Sequence, residues 1–400
     1  MGELMRNTIT DELVERIEES IGGESAFSKD NDDEFEQLAF SLFQQQYELN
    51  GPYRKFCDSK GRRPSSASNW LEIPAVPAAA FKMAELASFQ DPTSAAKILF
   101  ETSGTSNSMR KGRVFRDDTG VRVFEAASLG VFDHFALCGL KEMRIVALSP
   151  PPEAFPNSAI AYIIGLWVDA RGSSGSLFTL GVGGLDVDKL IGALREAEAE
   201  ATPVLLVGAT FGFVRFCDQC VEKGISFQLA AGSRLVDGGG YKGRSRELQK
   251  DEFIKLVSGV FGLPEPSCVN LLGATEFATQ FFDCTLRNAV DGVSEPRYKR
   301  NTGWTRSIAM STDNPDCRLT CDIPIPGWDN CFKSEVGLLR HYDLGNTSSV
   351  MAIQTEDLGY EVRTPHGTGF EILGRASGAE ARGCSISIDE LIDRGAREAD

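Results

Sequence analysis

The sequence predicts an α/β fold with a mostly parallel sheet, and three observations carry that prediction. From Lys97 to about Glu276, short apolar and β-branched runs alternate with amphipathic segments, the rhythm of βα units. Two of the apolar runs end in polar, glycine-containing turns, Glu101-Thr102-Ser103-Gly104-Thr105-Ser106 and Gly273-Ala274-Thr275-Glu276. Open α/β sheets take their ligands at such strand ends. Beyond residue 295 the pattern changes to shorter strands with many turns, Pro324-Ile325-Pro326-Gly327 among them, and predicts a small β-rich subdomain.

The elements follow in order. Leu13, Ile17 and Ile21 repeat at helical spacing after Thr10, an expected N-cap with Asp11 and Glu12 in the first turn; Phe35, Leu38, Leu42 and Phe43 form a second apolar stripe. Two N-terminal helices are expected. The expected strands are 98–102, 143–149, 176–180, 203–208, 226–230 and 268–272, and the expected helices 117–130, 157–168, 187–199, 211–222 and 247–261. No internal repeat interrupts this order, and the polar tail after Glu390 is expected to be mobile.

Four hundred residues with 42% hydrophobic content can bury a large core and exclude a disordered chain. The net charge of −16 argues against nucleic acid as the main partner, since neutralising a phosphate backbone needs a basic face. An anionic ligand must then meet a locally basic site, and Arg110, Lys111 and Arg113 follow the 102–106 turn. Ten cysteines at irregular spacings, and an N-terminus without an apolar signal core or a myristoylation pattern, point to reduced thiols in a cytoplasmic protein. The longest apolar stretches, such as 159–168, fall short of the roughly 20 residues a bilayer span needs, so no membrane helix is expected.

Four polar turns carry candidate chemistry. In 102–106, backbone N–H groups and hydroxyls suit a phosphate, although no Gly-Lys-Ser/Thr closes the loop as in the Walker pattern. Gly273-Ala274-Thr275-Glu276 places a hydroxyl and a carboxylate at a strand end. Thr355-Glu356-Asp357-Leu358-Gly359 follows the apolar run 350–353, and Gly374-Arg375 follows 370–373. The 102–106 loop alone reads equally well as a polar turn, and each of the other three alone reads better as an ordinary turn.

In this order the four turns resemble the motifs of the adenylate-forming superfamily of acyl-CoA synthetases, luciferases and peptide-synthetase adenylation domains. Within it, Phe43-Gln44-Gln45-Gln46, Pro52-Tyr53-Arg54-Lys55-Phe56-Cys57, Trp70-Leu71-Glu72-Ile73-Pro74-Ala75-Val76-Pro77, Phe81-Lys82 and Arg382-Gly383-Cys384-Ser385 are similar to the acyl-protein synthetase family, over about residues 35 to 390. The resemblance implies the N-terminal domain of an adenylate-forming enzyme, related to phenylacetate-CoA ligases. Residues 1–95 would be its helical part, 96–290 an α/β nucleotide-binding core, 291–390 the β-rich subdomain and 391–400 the tail.

The resemblance also implies roles. Thr102, Ser103, Gly104, Thr105 and Ser106 would cradle the β- and γ-phosphates of ATP. Thr275, after Gly273, would contact phosphate, and Glu276 would hold Mg²⁺, a hard ion suited to oxygen ligands. Asp357 would grip the ribose hydroxyls, and Arg375 would reach ribose or phosphate. Ala230, Ala231 and Gly232 resemble the small-residue loop that lies against adenine. Two positions depart from the superfamily pattern, Asn107 in place of a second loop glycine and Leu272 in place of the aromatic before Gly273.

After Arg375 only 25 residues remain, so the superfamily's mobile C-terminal domain is expected to be absent or truncated. The acyl-protein synthetases pass the acyl group to a cysteine near their own C-terminus, and Cys384, beside Arg382, is the matching residue. A thiolate readily attacks a mixed anhydride with AMP as leaving group. The implied activity is ATP-dependent activation of a carboxylic acid, fatty or aryl, with transfer to a protein thiol and then to a reductase, transferase or carrier protein. Transfer to coenzyme A or a carrier protein, and a non-catalytic partner subunit, stay open as alternatives.

Other constellations read as structural. Cys217-Asp218-Gln219-Cys220 sits in an expected helix without a second pair, and His134, His341 and His366 have no ligand or triad spacing. Gly181-Val182-Gly183-Gly184 fails the dinucleotide pattern because Asp186 takes the third glycine position. Phe211, Phe213 and Phe227 are expected to wall the acid pocket.

Overall fold

The computed structural model describes residues 2–27, 32–102, 111–181, 184–241, 245–376. Two N-terminal helices, Gly2–Gly22 and Asp32–Leu49, bury the two apolar stripes, and a third helix, Gly51–Ser59, follows with the Asn50 side chain accepting from Tyr53 N–H at 3.0 Å. Thr10 lies inside the first helix, because its hydrogen-bonded turns continue back to Gly2.

The central sheet runs in the order 281–282, 268–272, 234–238, 204–209, 144–148, 177–178, all parallel except the first edge strand. Helices Ala159–Arg171, Val187–Ala199, Thr210–Glu222 and Lys250–Phe261 lie where the amphipathic segments predict them. Strand Cys268–Leu272 matches its expected bounds.

Two expectations need correction. Residues 226–230 are not a strand. Their N–H groups at Phe227 and Leu229 donate to Val260 and Phe261 carbonyls (2.7 and 3.2 Å), satisfying open acceptors at the end of helix Lys250–Phe261. The sheet instead takes Arg234–Gly238, whose charged Arg234 and Asp237 disguise a buried strand. Arg234 is accommodated by donating to the carbonyls of Ala136 and Leu137 at 2.7 and 3.1 Å. Likewise, Ile98–Glu101 does not join the parallel sheet. It pairs antiparallel with Arg113–Arg116 in a two-stranded ribbon.

Past residue 295 the β-rich part is an eight-stranded, mainly antiparallel sheet, larger than expected. It recruits Val76–Pro77 from the N-terminal part, parallel to Ile353 and Gln354. Its backbone is the long pair Ala352–Thr364 and Gly367–Arg375. One hydrophobic core joins Leu42 and Tyr53 from the N-terminal helices, Val236 and Leu271 from the parallel sheet, and Ile353 and Phe370 from the antiparallel sheet. Among the described residues no helix is long and apolar enough to cross a membrane. The tail 391–400 lies outside the described residues.

Candidate active site

The carboxyl ends of the parallel strands open onto a cavity of about 1000 Å³. Leu148 and Ser149, Gly208 to Thr210, Gly238 to Tyr241 and Leu272 to Glu276 form one wall, and Thr355, Asp357 and Glu371 to Arg375 of the antiparallel sheet form the other. Thr102, Gly273, Thr275, Glu276, Asp357 and Arg375, taken from four separated segments, therefore meet on one cavity. Lys82 lines the same cavity.

Thr102 sits at the base of the hydroxyl-rich loop. Its N–H donates to Gly112 carbonyl and its Oγ1 accepts from Gly112 N–H, both at 2.8 Å, which clamps the two ends of the loop across the ribbon. Lys111 Nζ lies 2.9 Å from Glu101 Oε2, and Arg113 pairs with Glu85. Ser103, Gly104, Thr105, Ser106, Asn107 and Arg110 lie outside the described residues, as do Arg382 and Cys384.

The turn carrying Thr275 and Glu276 is held from behind by the 343–350 segment. Asp343, fully buried, accepts from Ala278 N–H at 2.9 Å, Thr279 N–H at 2.7 Å and Thr279 Oγ1 at 2.8 Å. Asn346 Nδ2 donates to Glu276 carbonyl at 2.8 Å, and the buried Arg116 guanidinium donates to Phe277 carbonyl at 2.9 Å while lying over the Phe124 ring. Burial lowers the Arg116 guanidinium to about 10. Such a network fixes the backbone so that the Thr275 and Glu276 side chains need little reorganisation.

Beside the strand ends lies a buried charge cluster. Asp283 accepts from Lys299 Nζ at 3.1 Å and Arg297 Nη1 at 2.9 Å, with Lys250 Nζ at 3.8 Å. Burial alone would raise its pKa, but these three cations outweigh it and hold the carboxyl well below the usual range. Lys250 also grips both Glu371 oxygens at 2.9 and 3.0 Å, tying the helix to the antiparallel sheet. Asp237 is bound by Thr210 Oγ1 at 2.6 Å and Asn270 Nδ2 at 2.9 Å, and burial pushes its carboxyl up to about 6.

Several expectations fall elsewhere. Ala231 and Gly232 precede strand Arg234–Gly238 and so lie at its opposite end from the cavity. The residues at the cavity end are Gly238, Gly239 and Gly240. Gly239 and Gly240 hold φ of 78° and 67°, a left-handed backbone that favours glycine. The available signal is the apolar pair Leu235-Val236 running into Asp237-Gly238-Gly239-Gly240, which the strand expected at 226–230 obscures. Phe213 and Phe227 pack on Phe261 in a separate core, and Phe211 packs in a small cluster with Leu180, so none of them lines the cavity. The apolar lining comes from Ile160, Ile163, Ile164, Val207, Leu271 and Phe277.

Cys217 and Cys220 are buried core thiols, and no cluster of three metal-ligating side chains occurs among the described residues. His341 bonds Ser307 Oγ at 2.9 Å inside an aromatic cluster, where burial lowers it to about 3 and keeps it neutral. His134 stacks on Phe27, and the exposed His366 faces Glu295 at 3.9 Å.

A parallel sheet facing an antiparallel sheet across a cavity is the architecture of adenylate-forming enzymes, and comparison with solved structures agrees. The fold is similar to 2-hydroxyisobutyryl-CoA ligase in an open conformation with 2-HIB-AMP and CoA, at TM-score 0.58 and 12% identity, covering 88% of this chain and 77% of that one. The same ligase in its thioesterification state gives TM-score 0.57 at 13% identity, covering 87% of this chain and 69% of that one. Among curated proteins, the long-chain-fatty-acid–luciferin-component ligase of Vibrio harveyi is 24% identical over 366 residues, covering 88% of this chain and 87% of the relative. Residues 21–393 match the family "Acyl-protein synthetase, LuxE", and the chain belongs to that family. It is therefore a ligase that activates an acid through an acyl-adenylate.

Proposed function

We propose that this protein activates a fatty acid with ATP and passes the acyl group to a protein thiol. The observation that carries the reading is the meeting of Thr102, Thr275, Glu276, Asp357 and Arg375 on one cavity. In the first step a carboxylate oxygen attacks the α-phosphorus, the bond to pyrophosphate breaks, and an acyl-phosphate anhydride forms. Two anions must approach, so donors and cations have to be in place beforehand. The hydroxyls of Thr102 and Thr275 and the Arg375 guanidinium serve that purpose, with the 103–106 loop on the phosphates. Asp357 accepts from the ribose hydroxyls.

The donor set fits Mg²⁺. This ion is typically held by one or two carboxylates together with substrate phosphates rather than by an all-protein cage, and Glu276 offers one buried carboxylate beside the Thr275 hydroxyl. When bound there it neutralises charge on the departing pyrophosphate.

Ile160, Ile163, Ile164 and Leu271 give the cavity an apolar side suited to a hydrocarbon chain, in keeping with the Vibrio harveyi relative. In the second step a thiolate sulfur attacks the acyl carbonyl, the bond to AMP breaks, and a thioester forms. Cys384 is the acceptor in this reading, with a reductase or other acyl-accepting protein downstream. Nine free cysteines among the described residues favour a reducing compartment, the cytoplasm.

The test is carboxylate-dependent exchange of labelled pyrophosphate into ATP across fatty and aryl acids. Exchange is expected with some of them and is lost in Glu276→Ala. No exchange with any acid overturns the reading.

A further inference from the structure

One polar side chain interrupts the apolar side of the cavity. Strand alternation sets that side: Val236, Val269 and Leu271 face the core shared with Ile163, Ile164 and Val207, while Leu235 and Cys268 face the core beneath helices Thr210–Glu222 and Lys250–Phe261. Strand Cys268–Leu272 pairs with the antiparallel edge strand through Leu271 and Phe282, and Gln280, two residues before Phe282, shares the Leu271 face. Their proximity is direct. A Cβ at Gly273 would lie 3.5 Å from Leu271 Cδ1 and 3.7 Å from Gln280 Cγ, so the two side chains flank the gap that the glycine leaves. Both line the cavity.

Gln280 is 3% exposed. Its Nε2 donates to Ala278 carbonyl at 3.1 Å, which holds the amide, while the buried Oε1 has no hydrogen-bond donor among the described residues. The network behind the Thr275–Glu276 turn does not use this oxygen. There Asp343 accepts from Ala278 and Thr279 N–H groups, and Asn346 and Arg116 donate to the Glu276 and Phe277 carbonyls. A buried acceptor without a donor is costly, and a ligand that supplies one recovers that cost. An unsubstituted hydrocarbon chain supplies none. An ammonium group would need a carboxylate to offset its own desolvation, and the side chains that share this face, Ile163, Ile164, Val207 and Leu271, offer none. A neutral hydroxyl meets the requirement.

We propose that the acid activated here carries a hydroxyl group on its acyl chain, and that Gln280 is the specificity-determining residue, its Oε1 accepting from that hydroxyl. The proposal rests on the adenylation reading and narrows its substrate class to hydroxy fatty acids. Thr275, assigned to phosphate in that reading, follows Gly273 by two residues, a span of at most about 7 Å. The hydroxyl therefore belongs in the carboxyl half of the chain rather than at its tail. An acid without it leaves the amide oxygen buried and unsatisfied, which is how a polar group in an apolar wall discriminates.

The test compares saturated fatty acids with their 2-, 3- and ω-hydroxy derivatives at matched chain length in pyrophosphate exchange, for the unaltered protein and Gln280→Leu. The unaltered protein is expected to prefer a 2- or 3-hydroxy acid over the unsubstituted one by roughly tenfold to a hundredfold in kcat/KM, the range for one buried hydrogen bond left unmade. Gln280→Leu, which removes the acceptor and extends the apolar wall, should reverse that order. A ratio taken within one variant does not depend on how much of it folds, and the unaltered protein alone already decides the first comparison. Equal use of hydroxylated and unsubstituted acids by the unaltered protein, the result expected if Oε1 merely holds a water, overturns this proposal while leaving adenylation intact. A preference for ω-hydroxy acids alone, or one unchanged in Gln280→Leu, does the same. Absence of exchange with every acid overturns both.

Discussion

Asp357 and Arg375 stand opposite each other across the antiparallel pair of Ala352–Thr364 and Gly367–Arg375, with Arg375 Nε 3.4 Å from Asp357 Oδ1. Arg375 Nη2 also donates to Glu356 Oε2 at 3.0 Å. The two turns that sequence order could only place one after the other are thus locked into a single structural unit. The carboxylate and the guanidinium reach the cavity from adjacent strands, with the cation already oriented.

This arrangement predicts a functional rather than a structural defect on substitution. Arg375→Ala is expected to raise the KM for ATP by roughly tenfold or more, since charge-assisted contacts to oxygens are the stronger kind. The partly exposed pair should add no more than about 1 kcal/mol to stability. Arg375→Lys should recover only part of the loss, because a lysine cannot fork. Exchange kinetics with thermal melting checks this, and a large fall in melting temperature with unchanged KM contradicts it.

The ribbon base gives a second prediction. A Cβ at Gly112 would come 2.8 Å from Thr102 Oγ1, a contact too close to tolerate without movement. Gly112→Ala should therefore open the Thr102–Gly112 clamp and disturb the segment proposed to hold the phosphates while the cores stay intact. The expected result is a higher KM for ATP with little change in melting temperature, read from exchange kinetics and calorimetry. Unaltered nucleotide affinity would show that the clamp does not position the loop.

Much of this was legible in the residues. Helical stripes such as Leu13-Ile17-Ile21 and an uninterrupted run such as Cys268–Leu272 declare themselves through period and composition. The strand Arg234–Gly238 did not, because Arg234 and Asp237 are buried through partners distant in sequence, Ala136 and Asn270. Phe227 misleads for the complementary reason: its segment is apolar and extended, but its hydrogen bonds end a helix. The ribbon pairing of Ile98–Glu101 and the lock of Asp343 onto Thr279 depend on tertiary contacts that local pattern does not encode. The lining of the cavity was readable where a motif stayed contiguous, as at Thr275 and Glu276, and unreadable where one side chain is held by others from separate strands.

Asp237 makes the pH dependence specific. Its folded pKa of about 6 lies above the ordinary 3.8, because burial penalises the ionised form. A raised folded pKa contributes stability that is present below the unfolded value and lost as pH rises through the folded one. Asp283 and Lys299 are the charges that face it. Stability relative to Asp237→Asn should fall by about 2–3 kcal/mol between pH 4 and pH 7. Denaturant melts of both proteins across that range measure it. A difference that is flat with pH, or that grows as pH rises, contradicts the assigned burial.

The proposed acceptor thiol, Cys384, can be tested against the cysteines of the described residues. Burial pushes Cys57 up to about 12 and Cys138, Cys220, Cys268, Cys284 and Cys321 up to about 11, which keeps them protonated and poorly nucleophilic at neutral pH. Cys317 is exposed and serves as the control. With ATP and a fatty acid, mass spectrometry should find one acyl adduct that hydroxylamine removes. Cys384→Ala should abolish it while pyrophosphate exchange continues, because adenylation precedes thiol attack. Cys317→Ala should retain both. An adduct that survives in Cys384→Ala, or that disappears in Cys317→Ala, moves the acceptor role elsewhere, and an unmodified chain with thioester formed on added coenzyme A assigns it to a free thiol instead.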